Sequence, residues 1–151
     1  MIAVRLQAEP FDCAAETTAL TAGRADVGAV VSFVGLCRDE GGRLAALELE
    51  HYPGMAEAEI GRIAGEAAAR WPILDLVVVH RFGKIPVGEP IVLVAATSSH
   101  RGAAFAATEF LMDFLKTRAP FWKREHGRDG RAGDWVAASD ADDAAAARWR
   151  G

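Results

Sequence analysis

Along this chain, β-branched apolar runs alternate with segments of helical spacing, and glycine or proline marks most of the switches. Gly28-Ala29-Val30-Val31-Ser32-Phe33-Val34-Gly35 is a nearly continuous apolar run closed by glycine, the pattern of a strand buried on both faces. It opens into Leu36-Cys37-Arg38-Asp39-Glu40-Gly41-Gly42, which has the composition of a turn-rich loop. Comparable runs predict strands over 44–50, 74–81 and 91–98, with Pro86 to Pro90 supplying loop chemistry between the last two.

Met55, Ile60, Ile63, Ala64 and Ala67 recur near helical spacing after Pro53-Gly54 and stop before Pro72, which predicts a helix over 55–71. A second helix is expected over 100–118, with Phe105, Met112 and Leu115 on its apolar face and Pro120 as its stop. Ser139, three residues before Asp142, signals a short final helix through Trp149. The glycine- and arginine-rich stretch 127–133 reads as a mobile loop. Strands and helices interleave without an internal repeat or a linker, so the expectation is one domain over 1–151, of α+β or α/β class with mixed strand directions.

The chain has 151 residues, about half of them hydrophobic and a quarter charged, the balance of a globular protein with its own core. A net charge of -4 argues against a nucleic-acid or membrane-surface protein, since both require a basic footprint. The N-terminus lacks the pattern of a signal peptide and no apolar run approaches the roughly 20 residues of a membrane span, so the expected location is the cytoplasm. Cys13 and Cys37 are too far apart for a C-x-x-C motif and are expected to be reduced thiols. His51, His80, His100 and His126 form no metal-ligand spacing, and neither a metal nor a cofactor is expected.

The densest group of functional side chains is Lys116-Thr117-Arg118-Ala119-Pro120-Phe121-Trp122-Lys123-Arg124-Glu125-His126. The bland reading is a solvated helix end, where cations are favoured. Against it stands the rarity of lysine: the chain has 14 arginines but only three lysines, Lys84, Lys116 and Lys123, and two of the three lie here. Arginine cannot replace lysine where an amine must release a proton or attack a carbonyl. Ser98-Ser99-His100-Arg101 sits at a strand-to-helix junction, where free N–H groups attract phosphate or carboxylate and arginine adds a bidentate grip. Arg38, in the loop after the first of these strands, is a third binding candidate. A capping serine and surface charges are the alternatives for these two clusters.

At these residues the chain resembles a known family. Phe33-x-Gly35-x-x-Arg38, Leu49-Glu50-His51-Tyr52-Pro53-Gly54-Met55, His80-Arg81-x-Gly83, Gly88-Glu89, Ser99-His100-Arg101, Ala104-Phe105 and the block from Lys116 to Glu125 resemble, in order and spacing, the large catalytic subunit of molybdopterin synthase. The resemblance runs from about residue 26 to Arg148-Trp149. It implies an α+β fold of the α/β-hammerhead type, with a mixed, largely antiparallel sheet and packed helices. It also implies a homodimer within a heterotetramer, each large subunit binding a small ubiquitin-like sulfur carrier whose C-terminal Gly-Gly ends in a thiocarboxylate.

The substrate so implied is cyclic pyranopterin monophosphate, which receives two sulfurs to form the dithiolene of molybdopterin. Carried over by position, Lys116 and Lys123 resemble the catalytic lysines, and Arg38, His100, Arg101 and Glu125 the substrate-binding residues. The chain departs from the family at Leu36, where relatives carry a basic residue. Two rival readings remain open: a persulfide carrier using Cys37 beside Arg38, and a pterin-phosphate binding protein without catalysis. Helix geometry adds one expectation of its own. In a continuous helix, sixteen steps of 1.5 Å put His100 and Lys116 about 24 Å apart and about 160° around the axis, so one small pterin reaches both only if two protomers share each site.

Overall fold

The computed structural model describes residues 1–117, 121–136 and 146–149. Ten elements follow in order: β1 (Ile2–Gln7), α1 (Cys13–Ala19), β2 (Ala29–Leu36), β3 (Leu44–His51), α2 (Met55–Arg70), β4 (Asp75–Arg81), β5 (Gly83–Pro86), β6 (Pro90–Ser98), α3 (Arg101–Leu115) and β7 (Phe121–Gly127). The strands form a four-stranded sheet ordered β1-β4-β6-β2 and a three-stranded sheet ordered β5-β3-β7. Among the described residues only β1 and β4 run parallel; the other paired strands are antiparallel. This is the mixed, largely antiparallel α+β class expected.

Period-2 alternation divides the larger sheet into two faces. Leu76, Val78, Val94 and Ala96 point into a core with Ile60 and Ile63 of α2 and Phe110 and Leu111 of α3. Val77, Val79, Leu93 and Ala95 turn the other way, onto Leu20 and Phe11. The strands buried on both faces are therefore β4 and β6. The run 28–35, expected to be such a strand, is an edge strand with Ser32 and Phe33 exposed. An apolar run records the hydrophobicity of a strand but not its place in the sheet.

The helices fall close to expectation, and local chemistry explains their starts. Gly54 adopts φ 82°, a conformation open to glycine at little cost, and its N–H donates to Glu57 at 2.8 Å, closing the first turn of α2. The chain leaves α2 through Trp71, and Pro72 cannot continue the hydrogen-bond ladder. Helix α3 continues through Gly102 without a break, and Lys116 caps it, its N–H donating to the Met112 carbonyl while the Thr117 N–H donates to that of Phe114. Arg118 to Pro120, expected to end this helix, lie outside the described residues, as does most of the expected final helix from Ser139. Of its described residues, 146–147 are helical and 148–149 a turn, and the Trp149 ring packs edge-on against Trp71 and Phe110.

Four elements were not anticipated, among them β5, which lies between two expected strands. β1 and α1 lie in the N-terminal stretch, where β1 pairs with β4 from Ile2↔Leu76 to Gln7↔Arg81. β7 lies inside the cluster that reads as a helix end. Residues 127–133 form a hydrogen-bonded turn, with the Gly127 N–H on the Arg131 carbonyl at 2.8 Å and the Gly133 N–H on the Glu125 carbonyl at 2.8 Å. Composition signals a turn there, but not the hydrogen bonds that order it.

Asp75 anchors the start of β4. Its carboxylate, 6% exposed, accepts from Arg24, from Thr97 Oγ1 at 3.0 Å, and pairs with the terminal amine at 3.2 Å. Burial acts to raise its pKa, but these partners outweigh burial and hold the carboxyl below its usual range.

Two glycine substitutions test the packing in opposite directions. A Cβ on Gly28 would stand 2.0 Å from the Ser99 carbonyl oxygen, so Gly28→Ala is expected to cost about 1–3 kcal/mol by overpacking. Gly61, inside α2, has open space around it, and Gly61→Ala is expected to stabilise by up to about 1 kcal/mol. Urea unfolding reads both as shifts of the midpoint at constant m-value.

Candidate active site

The end of α3 and the start of β7 are separated by five residues, and between them they close a cavity of about 240 Å³. Lys116, directly after α3, and Lys123, on β7, both line it. Its apolar wall includes Phe33, Leu49, Met112 and Phe121. A second depression of about 420 Å³ shares Lys123, Leu47 and Val136 with the first, and adds Arg38 and Glu125. The two form one groove running from Lys116 past Lys123 to Arg38.

The ladder between β3 and β7 determines which side chains face this groove. Leu47 pairs with Glu125, Leu49 with Lys123 and His51 with Phe121, and residues directly opposite in an antiparallel pair share a face. The intervening residues point away: Glu48 accepts from Arg124 Nε at 3.0 Å and from His126 Nε2 at 2.7 Å. Hydrogen bonds from His126 and Arg124 hold the Glu48 carboxyl below its usual range. Lys123 is held from the other side as well, its backbone exchanging hydrogen bonds with Val136 at 3.2 and 2.7 Å.

Arg38 is 82% exposed and its nearest acid is Glu40 at 3.5 Å, so little holds it against an incoming anion. Cys37, beside it, is 1% exposed and packs with Leu44, Leu49 and Ile85. Burial pushes its thiol pKa up, the reverse of what a persulfide carrier requires. Leu36, at the position of the family departure, is exposed and lines the cavity.

The structure brings Lys116, Lys123, Arg38 and Glu125 to one groove and leaves His100 and Arg101 elsewhere. His100 is the N-cap of α3 and Arg101 its first residue, both exposed. With α3 unbroken from Arg101 to Leu115, they stand about 24 Å from Lys116 along the axis.

One lining residue carried no role in the sequence reading although its motif stood out. His80 lies on β4 at the wall of the cavity, stacked on Phe121 with ring centroids 4.1 Å apart and planes at 15°. His51 approaches Phe121 at 6.1 Å and Phe82 at 4.6 Å. Next to His80, the Arg81 guanidinium is buried against Glu89 at 2.9 Å and the Ala8 carbonyl at 3.1 Å. The family strings His80-Arg81-x-Gly83 and Gly88-Glu89 thus meet in an ion pair that fixes the backbone beneath the cavity.

A two-sheet α+β protein whose groove carries two lysines and an arginine beside Glu40, Glu125 and Asp134 presents a cluster of opposite charges around an apolar cavity. Comparison with known proteins makes this specific: the chain belongs to the MoaE protein family, whose profile matches residues 6–118. It is 68% identical to the molybdopterin synthase catalytic subunit of Mesorhizobium japonicum, over 97% of this chain and 92% of that protein. The structure of the molybdopterin biosynthesis MoaE protein from Burkholderia ambifaria is 51% identical and superposes with a TM-score of 0.84, covering 99% of this chain and 98% of that one. Molybdopterin synthase from Staphylococcus aureus is 32% identical with a TM-score of 0.79, over 88% of this chain and 96% of that one.

Burial depresses the pKa of His80 to about 4; the hydrogen bond to the Arg81 carbonyl pulls it back up, and the charges of Lys116 and His51 add smaller downward pushes. The folded protein therefore resists binding a proton that the unfolded chain takes up near pH 6.5. Stability from this source is intact above pH 6.5 and declines as pH falls from 6.5 to about 4, by about 1.4 kcal/mol per pH unit at most. Urea unfolding between pH 7.5 and 5 is expected to register this loss in the wild-type protein, and His80→Phe to reduce it.

Proposed function

We propose that this chain is the catalytic subunit of a molybdopterin synthase, working as one domain and moving sulfur from the C-terminal thiocarboxylate of a small ubiquitin-like carrier to a cyclic pyranopterin monophosphate. Two transfers build the dithiolene. The observation that carries this reading is the convergence of Lys116 and Lys123, from different elements, on one cavity in a member of the MoaE family. The apolar wall suits an extended Gly-Gly tail, and the lysines suit its anionic end.

Lys116 stands nearest the thiocarboxylate and supplies or removes protons as sulfur attacks and oxygen departs. Lys123 stabilises the developing oxyanion, and Arg38 and Glu125 orient the pterin from the adjoining part of the groove. His100 and Arg101, with the exposed start of α3, take the phosphate. Because one chain holds these groups at opposite ends of α3, each complete site draws on two protomers of a homodimer, and one carrier binds each large subunit. Cys13 and Cys37 are free thiols, in keeping with a reducing cytoplasm; among the described residues no helix is long and apolar enough to cross a membrane.

Mixing the protein with thiocarboxylated carrier and pyranopterin monophosphate is expected to yield dithiolene product; no product sinks the reading. Lys116→Ala and Lys123→Ala are each expected to lower turnover about a hundredfold or more, with stability within about 0.5 kcal/mol of wild type. Lys→Arg at either position should not restore it. Cys37→Ala is expected to stay active.

The shared site has its own test. A mixed dimer of Arg101→Ala and Lys116→Ala chains, isolated under two tags, contains one wholly wild-type pocket and is expected to recover up to about half of normal activity. A mixed dimer as inactive as its parents would falsify the shared arrangement.

A further inference from the structure

His80 combines three properties that packing alone does not require. It faces the cavity that Lys116 and Lys123 line, its ring is fixed by a parallel stack on Phe121, and its Nδ1 lies 2.9 Å from the Arg81 carbonyl oxygen. A carbonyl oxygen only accepts, so Nδ1 must carry the hydrogen. In the neutral ring Nε2 then bears a lone pair and can only accept. The carbonyl that sets this tautomer belongs to Arg81, whose own side chain is buried on Glu89, Ala8 and Pro90. Orientation and tautomer are both imposed from the protein side.

Lys116 is the stronger of the two groups whose positive charge acts on this imidazole, His51 being the other. It follows the last turn of α3, exposed, on a four-carbon stem with several rotatable bonds.

We infer that His80 is a positioning residue for Lys116: its Nε2 accepts a hydrogen bond from the lysine ammonium and so aims the remaining N–H groups into the cavity. This deepens the proposed sulfur transfer and rests on Lys116 being its catalytic lysine. An ammonium has three donors; one spent on His80 leaves two for the thiocarboxylate and the oxygen it displaces. A neutral acceptor suits the task. A carboxylate in its place would form an ion pair and cancel the charge that must hold an anionic tail, whereas a protonated imidazole would repel the ammonium. Burial keeps His80 neutral, which allows it to hold the lysine while leaving its positive charge available.

The substitution series separates positioning from packing. His80→Phe keeps the aromatic stack and the apolar burial but has no acceptor; His80→Gln loses the stack but brings a side-chain carbonyl near the place of Nε2. If His80 positions Lys116, kcat falls at least tenfold in His80→Phe while KM for pyranopterin monophosphate stays within about twofold, and His80→Gln recovers to within about threefold of wild type. If His80 only packs, the order reverses, with Phe the better replacement, and the inference is overturned. Thermal melting of both variants reports whether each is folded.

A second measurement needs neither variant nor turnover. In protein labelled with 15N-histidine, the unprotonated Nε2 of His80 is expected to give a resonance that shifts in Lys116→Met; an unmoved resonance overturns the contact. Should wild-type protein form no dithiolene with thiocarboxylated carrier, the proposed function fails, and the resonance still decides whether His80 and Lys116 meet.

Discussion

The register of β7 on β3 is the constraint on which the site depends, because the side-chain period of a strand is two and a slip by one residue exchanges its faces. In the observed pairing Phe121, Lys123 and Glu125 face the groove, and Trp122, Arg124 and His126 face away. A slip would take Lys123 out of the cavity and put Trp122 or Arg124 in its place. Glu48 opposes this: it accepts from both Arg124 and His126, and each bond is made only in this register. The ion pair is partly exposed and contributes little to stability by itself. Its effect is on which of two faces carries the lysine.

A related division of labour runs through the positive charges. Four arginines serve as struts, committed to acids elsewhere in the chain: Arg24 on Asp75, Arg81 on Glu89, Arg124 on Glu48, Arg148 on Asp113. The planar guanidinium meets several acceptors at fixed angles and stays charged when buried. Arg38 differs in being almost fully exposed beside a distant acid, and it lies in the groove. The two lysines of the groove sit on the end of a helix and on a strand, where long flexible stems let their ammonium groups converge. Two of the three lysines thus line the cavity, whereas these four arginines hold backbone in place.

The motif strings acquire physical meaning only in three dimensions. His80-Arg81 and Gly88-Glu89 are separated by a short strand and a turn, and their ion pair ties β4 to the entry of β6 below the cavity. The histidine of Glu50-His51-Tyr52 packs against Phe82 and Phe121, so that string supports the ring on which His80 stacks. Arg148-Trp149, far along the chain, docks on α2 and α3 through Trp71, Phe110 and Asp113. These residues border the site or steady its walls.

Strands 44–50, 74–81 and 91–98 and helix 55–71 were legible in the sequence, because period and terminating residues act over a few neighbours and leave their mark locally. The scarcity of lysine likewise pointed to Lys116 and Lys123, since a side chain's chemistry travels with it. Hidden were the edge position of β2, the strand within 121–127, the pairing of β1 with β4, and the role of His80. Each depends on a partner distant in the chain: an apolar run is the same whether central or at an edge, and a basic cluster the same whether it ends a helix or enters a sheet. The sequence by itself determined which segments form elements and which groups could do chemistry. Tertiary structure alone decided which groups meet, because strand order, register and the two-sided burial of β4 and β6 arise from contacts between segments far apart in the chain.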